Sequence, residues 1–326
     1  MIRQSEKPRP ETNGNHTKLM DLTILIVNWN TRDLLVECLN SIQENLAAAP
    51  ALQAETFIID NASSDDSVSV IKNQFSWIKL IENHQNVGFA KANNQGIKVS
   101  KGRYLLLLNS DALLFENTIK EMINFADNQN EVAVVGSMWL NPDGSFQASY
   151  NDFPKLLPEC MLSLGIAKIF YSPFFPSYPP EESKKIKRCD WVGGACMLVR
   201  KSAIDEVGLL DENYFMYVEE ADWCYRMVKA GWEVVYLPQA KVIHLGGQSA
   251  DRISLQQQIR LYHSKYYFFL NHCGFLEGKF FKCFIHFSAL IKSCYWLIRG
   301  LIMQNPTIEI REKSKIYWQV AISREI

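Results

Sequence analysis

The feature that most constrains this chain is a repeated pairing across residues 22–111, in which short apolar runs of strand length alternate with segments that carry apolar residues at helical spacing. The run 22–28 is followed by Leu34, Leu35, Cys38, Leu39, Ile42 and Leu46, which fall on one helix face. The pattern then predicts a strand over 56–60, a helix over 66–75, a strand over 79–81, a helix over 90–99 and a strand over 104–108. Strands that are apolar throughout belong to a sheet covered on both faces, and strand–helix alternation makes that sheet mostly parallel. The expected fold class is α/β, a mostly parallel central sheet with helices on both faces. Ligands on such sheets bind beyond the carboxyl ends of the strands. Polar residues collect there: Asn28-Trp29-Asn30, Asp60-Asn61 and Asn109-Ser110-Asp111 each close an apolar strand.

Further along, 141–190 is rich in proline and aromatics with weak periodicity, and loops that shape a second substrate's site are expected there. A strand over 195–200, a helix opening near Ser202, a helix over 219–230 stopped by Gly231, strands over 233–237 and 241–244, and an amphipathic helix over 255–271 complete the pattern. The expected division is a disordered tail at 1–20, a first half at 21–135, a second half at 136–250 and a C-terminal helical region at 251–326.

With 326 residues, 48% of them hydrophobic, the chain can bury an enzyme-sized core. A formal net charge of −1 gives no basic field for nucleic acid, so no nucleic-acid partner is expected. The eight cysteines include no CxxC pair, and Cys38, Cys196 and Cys224 sit in apolar patterns as core thiols, which favours a reducing, cytoplasmic setting. The first twenty residues lack the apolar stretch of a secretion signal. Residues 275–303 are strongly apolar but interrupted by Lys279, Lys282, Lys292 and Arg299, short of the roughly 20 consecutive apolar residues of a spanning helix. They are expected to lie on a membrane surface with basic side chains towards anionic headgroups, the alternative being a helix hairpin packed on the rest of the chain. The oligomeric state is not legible.

Several segments carry chemistry. Asp60 at a strand end can accept from a pyrimidine N3–H or a ribose hydroxyl, with Asn30, Thr31 and Asn61 nearby, although 60–65 also reads as a turn and helix cap. The segment from Asn86 through Gly88, Phe89 and Asn93 opens a helix with small residues, where backbone and helix dipole favour an anion. Asp111, just past Asn109 and Ser110, is placed to bind Mg²⁺ or Mn²⁺ at the sheet's edge, or merely to start a turn. Glu219, Glu220 and Asp222 begin a helix whose dipole keeps carboxylates ionised, as a general base requires. Asp222 is also four residues before Arg226, the spacing of an intrahelical ion pair. His244 closes a strand as a metal ligand or a structural imidazole.

Taken in order, Leu25-Ile26-Val27-Asn28-Trp29-Asn30, Ile59-Asp60-Asn61-Ala62-Ser63, Asn86-Val87-Gly88-Phe89-Ala90, Leu108-Asn109-Ser110-Asp111, Trp191-Val192-Gly193-Gly194-Ala195, the run from Asp211 to Arg226, and Val242-Ile243-His244 resemble the family-2 glycosyltransferases of GT-A fold, in particular their bacterial rhamnosyltransferase-like branch. The resemblance implies an inverting, metal-dependent transfer of a sugar from a nucleotide-diphosphate donor, dTDP-rhamnose in that branch, to a glycan or lipid-linked glycan in cell-surface polysaccharide synthesis. It makes 21–135 the nucleotide-sugar half and 136–250 the acceptor and catalytic half. It implies that Asn30 and Asp60 hold the nucleotide and that Asn86 and its neighbours line the donor site. Gly193, Gly194 and Ala195 border the sugar, Asp111 and His244 serve the metal, and the acidic cluster supplies the base. Two positions depart from the family pattern: Asn109 stands at the first acid of Asp-x-Asp, and Glu220 stands where relatives often carry Asp. The rival readings are a nucleotidyltransferase and a non-catalytic glycan-binding protein on the same fold.

Overall fold

The structure is a computed structural model that describes residues 20–171, 178, 180–246, 254–303 and 308–326. The expected tail at 1–20 therefore lies, apart from Met20, outside the described residues. Strands β1 (Leu22–Asn28), β2 (Ala54–Asp60), β3 (Ile78–Glu82) and β4 (Tyr104–Asn109) alternate with helices α1 (Arg32–Ala47), α2 (Ser67–Gln74) and α3 (Phe89–Val99), close to the bounds read from the sequence. Then come β5 (Ala112–Leu114), α4 (Thr118–Asp127), β6 (Val132–Leu140), β7 (Phe146–Gln147), β8 (Tyr150–Asn151), α5 (Leu156–Leu164), α6 (Ala167–Phe170), β9 (Lys187–Arg188), β10 (Trp191–Val192), β11 (Cys196–Arg200), α7 (Lys201–Val207), α8 (Glu219–Lys229) and β12 (Glu233–His244). Three helices follow, α9 (Leu255–His272), α10 (Phe275–Ile302) and α11 (Ile308–Ile322).

The main sheet runs β3-β2-β1-β4-β11-β6-β12-β5. Its first four strands are parallel, as is the β6–β12 pair, while β11 and β5 run antiparallel to their neighbours. Alternate residues of each strand serve opposite layers. Leu22, Ile24, Ile26, Tyr104, Leu106 and Leu108 pack on the side of α1 and α4, whereas Leu25, Leu105 and Leu107 pack on the side of α3, α7 and α8. Both faces being covered, the strands read as unbroken apolar runs.

Two features differ from the expectation. Glu233–His244 is one strand rather than two, with its pairing to β6 shifted between Leu237 and Lys241. Pro238 lies in that interval and has no N–H for the ladder, so the register slips there. Residues 156–170 form α5 and α6 instead of loops.

The C-terminal helices form their own layer around Ile259, Phe269, Phe281, Ile285, Ala289 and Val320, with Cys160 of α5 joined to it. α9 begins with a capping box in which Ser254 Oγ accepts from Gln257 N–H and the Gln257 side chain accepts from the Ser254 N–H. Helix α10 packs one face inward, yet Leu276, Phe280, Phe287, Ile291, Ile298 and Leu301 on its other face are exposed. Among the described residues no helix is long and apolar enough to cross a membrane.

Candidate active site

The end of β4 and the end of β12 are brought together by the short strand β5, whose pairing sets His244 opposite Ala112. The backbone N–H of Leu245 donates to Asp111 O at 2.9 Å, and His244 Nε2 lies 3.5 Å from Asp111 Oδ1. The other ring nitrogen, Nδ1, is 2.7 Å from Gln147 Oε1. The Gln147 amide nitrogen donates to Asn141 Oδ1 and to His244 O, which leaves Gln147 Oε1 as the acceptor. The neutral imidazole therefore carries its hydrogen on Nδ1 and turns the Nε2 lone pair towards Asp111. Trp139 packs on the His244 ring at 4.9 Å between centroids. Gly246 completes the cradle: a Cβ there would lie 2.3 Å from Asp111 Oδ2 and 3.2 Å from His244 Nε2.

The described residues contain no group of three or more His, Cys, Asp or Glu that could hold a metal ion. One carboxylate and one imidazole lone pair facing a small gap nevertheless fit a divalent cation that takes its remaining ligands from phosphate and water, the usual arrangement for a magnesium-like ion on a nucleotide. Asn109, with no charge, adds nothing to the electrostatic part of that grip.

The three acidic residues of α8 have different surroundings. Asp222 is 3% exposed at its side chain and has both oxygens engaged, Oδ2 by Arg226 Nε at 2.9 Å and Oδ1 by His272 Nε2 at 2.6 Å. Glu219 is 2% exposed and its Oε2 has no hydrogen-bond partner among the described residues. Burial, reinforced by the neighbouring Glu220 charge, pushes its carboxyl well above the ordinary glutamate range. Glu220 is half-buried, and its Oε1 accepts the Gly194 N–H at 3.0 Å. Burial also raises the Glu220 carboxyl, while this backbone donor opposes the rise by stabilising the anion.

The sheet joins the two acidic features. Ala195 O accepts from Asn109 N–H at 3.0 Å, so β11 starts beside the point where β4 ends. Gly194, which holds Glu220, thus directly precedes the residue that faces Asn109, itself two residues before Asp111. Gly193 is needed here because a Cβ would come within 2.3 Å of the Trp139 ring, the same ring that packs on His244.

The loops expected to hold a nucleotide are organised largely by bonds among themselves. Asp60, 2% exposed, accepts from Asn28 Nδ2, Ser63 Oγ and Ser63 N–H. Asn30, exposed and at φ 55°, accepts through Oδ1 from Ser64 and Asp65 backbone N–H groups. Thr31 Oγ1 donates to Asn28 Oδ1 and lies 2.7 Å from Ser110 Oγ, linking the ends of β1 and β4. Asn61 reaches Gly88 O and accepts from Asn83 Nδ2. The turn before α3 is likewise tied by its own bonds. Asn86 Oδ1 accepts from Gly88 N–H, and Phe89 N–H donates to Phe215 O at 2.7 Å. Gly88, at φ 88°, admits this approach, since a Cβ would lie 2.5 Å from that same oxygen. Asn93 is buried, with Nδ2 on Phe89 O and Oδ1 unpartnered among the described residues.

Trp139, Gln147 and His272 were not singled out from the sequence. Trp139 sits near the carboxyl end of a strand, a location that could have marked it. Gln147 and His272 act on partners 97 and 50 residues away, and no local pattern announces either contact.

The model of Glycosyl transferase family 2 matches residues 23–208. N-acetylglucosaminyl-diphospho-decaprenol L-rhamnosyltransferase of Mycobacterium tuberculosis is 27% identical over 250 residues, 71% of this chain and 79% of the relative. The low-salt glycan biosynthesis hexosyltransferase of Haloferax volcanii is 26% identical over 251 residues, 76% of this chain and 73% of the relative. Among solved structures, the mannosyltransferase from Pyrobaculum calidifontis in complex with GDP-Man and Mn²⁺ has a similar fold, with TM-score 0.55 and 14% identity over 94% of this chain and 86% of that one.

Proposed function

The chain belongs to glycosyl transferase family 2, and we propose that it moves rhamnose from dTDP-rhamnose onto a lipid-linked glycan with inversion at the anomeric carbon. The family match replaces the nucleotidyltransferase reading. The observation that supports the mechanism is that Glu220 is bonded to Gly194 N–H while the adjacent Ala195 O accepts from Asn109, two residues before Asp111. Asp111 and His244 are the residues that would hold Mg²⁺ or Mn²⁺. Such a cation supplies charge compensation for the departing diphosphate when bound. Glu220, oriented by Gly194 N–H through Oε1, has Oε2 left to take the proton of the acceptor hydroxyl as it attacks. Glu219 serves poorly as a base because its carboxyl is buried and pushed well above the ordinary glutamate range, and Asp222 serves poorly because both its oxygens are bonded. The loops at 28–31, 60–65 and 86–93, with Ser110, form the donor side, and Gly193, Gly194 and Ala195 border the sugar.

The donor and acceptor are read from similarity to the mycobacterial rhamnosyltransferase, whose name specifies a lipid diphosphate acceptor. The outer face of α10 supports a membrane-bound acceptor. Its 28 residues make a helix about 42 Å long, with exposed Leu276, Phe280, Phe287, Ile291, Ile298 and Leu301 along one side. Lys282 and Lys292 lie over the Tyr266 and Tyr317 rings away from that stripe, and Lys279 and Arg299 add further cations for anionic headgroups. Contact with the inner membrane face follows, with the enzyme on the cytoplasmic side.

The test is a donor screen over dTDP-, UDP- and GDP-sugars with Mn²⁺ or Mg²⁺, reading nucleotide-diphosphate release with and without N-acetylglucosaminyl-diphospho-polyprenol. Release from dTDP-rhamnose that depends on the acceptor is expected. Turnover confined to another sugar nucleotide removes the rhamnose assignment, and release that ignores chelation by EDTA removes the metal.

A further inference from the structure

The family match ends at residue 208, yet α9, far beyond it, holds the acidic turn from outside. The chain enters α8 through Tyr217 at φ 73° and Val218 at φ 71°. Two successive side-chain-bearing residues in the left-handed region, the second β-branched, persist only where the surroundings over-determine them. The helix itself contributes one tie, Asp222 N–H to Val218 O at 2.9 Å. From outside the helix, α3 ties the approach through Phe89 N–H to Phe215 O at 2.7 Å, and bonds from α9 bracket the strained pair. On one side Ser264 Oγ donates to Met216 O at 3.0 Å, and on the other His272 Nε2 donates to Asp222 Oδ1 at 2.6 Å. Tyr267 extends the bracket by donating to Asp211 Oδ2 and accepting from Asn213 Nδ2.

His272 is held for this contact. Its ring lies 4.2 Å from the Tyr225 ring and 4.8 Å from the Phe268 ring, centroid to centroid, and its side chain is 13% exposed. The Asp222 carboxylate it meets is oriented from the opposite side by Arg226, which also donates to Val207 O and Leu209 O. Asp222 therefore joins two bodies, the α7–α8 region through Arg226 and the C-terminal helices through His272. Glu220 sits two residues earlier in the same helical turn.

We propose that His272 is a positioning residue for sugar transfer: its hydrogen bond to Asp222 keeps the first turn of α8 and the strained Tyr217–Val218 pair in place, and so holds Glu220 against Gly194. This rests on the reading of Glu220 as the acceptor's base. It makes α9 part of the catalytic apparatus and not only a connector to α10. In this role His272 acts through Asp222 and not on the reacting groups. Its loss acts on the rate of transfer while leaving nucleotide binding, which uses the other side of the cleft, as it was.

The experiment uses the full chain and compares His272→Leu, His272→Gln, Ser264→Ala and Glu220→Gln. The readings are kcat and acceptor KM with the sugar nucleotide selected by the donor screen, the Kd of dTDP with Mn²⁺, and thermal melting. Leu preserves apolar bulk between Tyr225 and Phe268 without a donor, whereas the Gln amide can replace the Nε2–H. His272→Leu is expected to lower kcat by at least about tenfold with the dTDP Kd within about twofold of wild type, and His272→Gln to regain roughly a third of wild-type kcat or more. Wild-type kcat in a folded His272→Leu protein, or a His272→Gln protein as slow as it, overturns the inference. Should His272→Leu not fold, Ser264→Ala decides: a kcat lowered by about threefold or more supports the bracket, and an unchanged one overturns it. Glu220→Gln separates the two claims. Its inactivity beside a fully active His272→Leu removes only the role of His272, while wild-type turnover by Glu220→Gln removes the base assignment itself.

Discussion

Gly194→Ala tests the placement of the base without touching any ionisable group. The Gly194 N–H donates to Glu220 Oε1 at 3.0 Å, and a Cβ on residue 194 would lie 2.7 Å from that oxygen and 3.1 Å from Glu220 Cγ. Ordinary carbon contacts are about 3.5–4.0 Å, so the carboxylate must retreat by roughly 0.5–1 Å. Glu220 is flexible and half-buried, and Gly194 has no positive φ, so the fold should absorb the methyl with little loss of melting temperature. Catalysis should not absorb it, because a displacement near 1 Å at a reacting group can cost about a hundredfold, or about 2.7 kcal/mol of barrier. The assay is steady-state nucleotide-diphosphate release, with dTDP affinity and melting measured on the same sample. A kcat lowered roughly 30- to 100-fold with unchanged dTDP affinity is expected. A kcat within about threefold of wild type would refute the claim that this backbone N–H sets the base.

At the metal cradle, Gly246→Ala puts a methyl 2.3 Å from Asp111 Oδ2 while keeping both ligands, so the Mn²⁺ concentration for half-maximal activity should rise by about tenfold or more, and Asp111→Ala should abolish transfer. An unchanged Mn²⁺ requirement in Gly246→Ala speaks against the Asp111–His244 site. For pH, Glu220 must be ionised to act and its carboxyl is raised by burial, so the acid limb of kcat should fall above the ordinary glutamate range; a limb at that range contradicts the burial argument. The same sign applies to stability. Glu219 is raised in the folded state, so its contribution is complete below the unfolded pKa and is lost as pH rises through the folded one. Glu219→Gln should accordingly raise the melting temperature at neutral pH. On α10, Phe287→Asp with Ile291→Asp should abolish sedimentation with anionic vesicles, and sedimentation equal to wild type removes the membrane assignment.

The parts of the fold legible in the sequence are those whose environment is uniform. β1, β2 and β4 are covered on both faces, so they appear as unbroken apolar runs, and the intervening helices show one apolar face. β12 reads as two strands because Pro238 interrupts its local pattern, whereas tertiary pairing with β6 carries it through as one. The three-residue β5 is too short to announce itself, although it delivers His244 to Asp111. For the site, strand-end polarity pointed to Asp111 and His244. It could not rank the acidic residues of α8, since that ranking depends on Gly194, Arg226 and His272, partners from 4 to 50 residues distant. Asp60 and Asn30 were legible as polar loop residues, but their many internal bonds are set by Ser63, Ser64 and Asp65 folding back on them. In α10 the sequence displays apolar residues on both sides, and only the packing of α9 and α11 decides which side faces out.

The most direct test of the central claim is the turnover of Glu220→Gln, with binding of the sugar nucleotide measured on the same protein. Gln keeps the size of the side chain and an oxygen for Gly194 N–H but cannot accept the acceptor's proton. A loss of at least about a hundredfold in kcat with donor affinity preserved is the expected result. Near wild-type turnover by Glu220→Gln, alongside inactivity of Asp222→Asn, would contradict it and move the base to the residue that His272 and Arg226 hold.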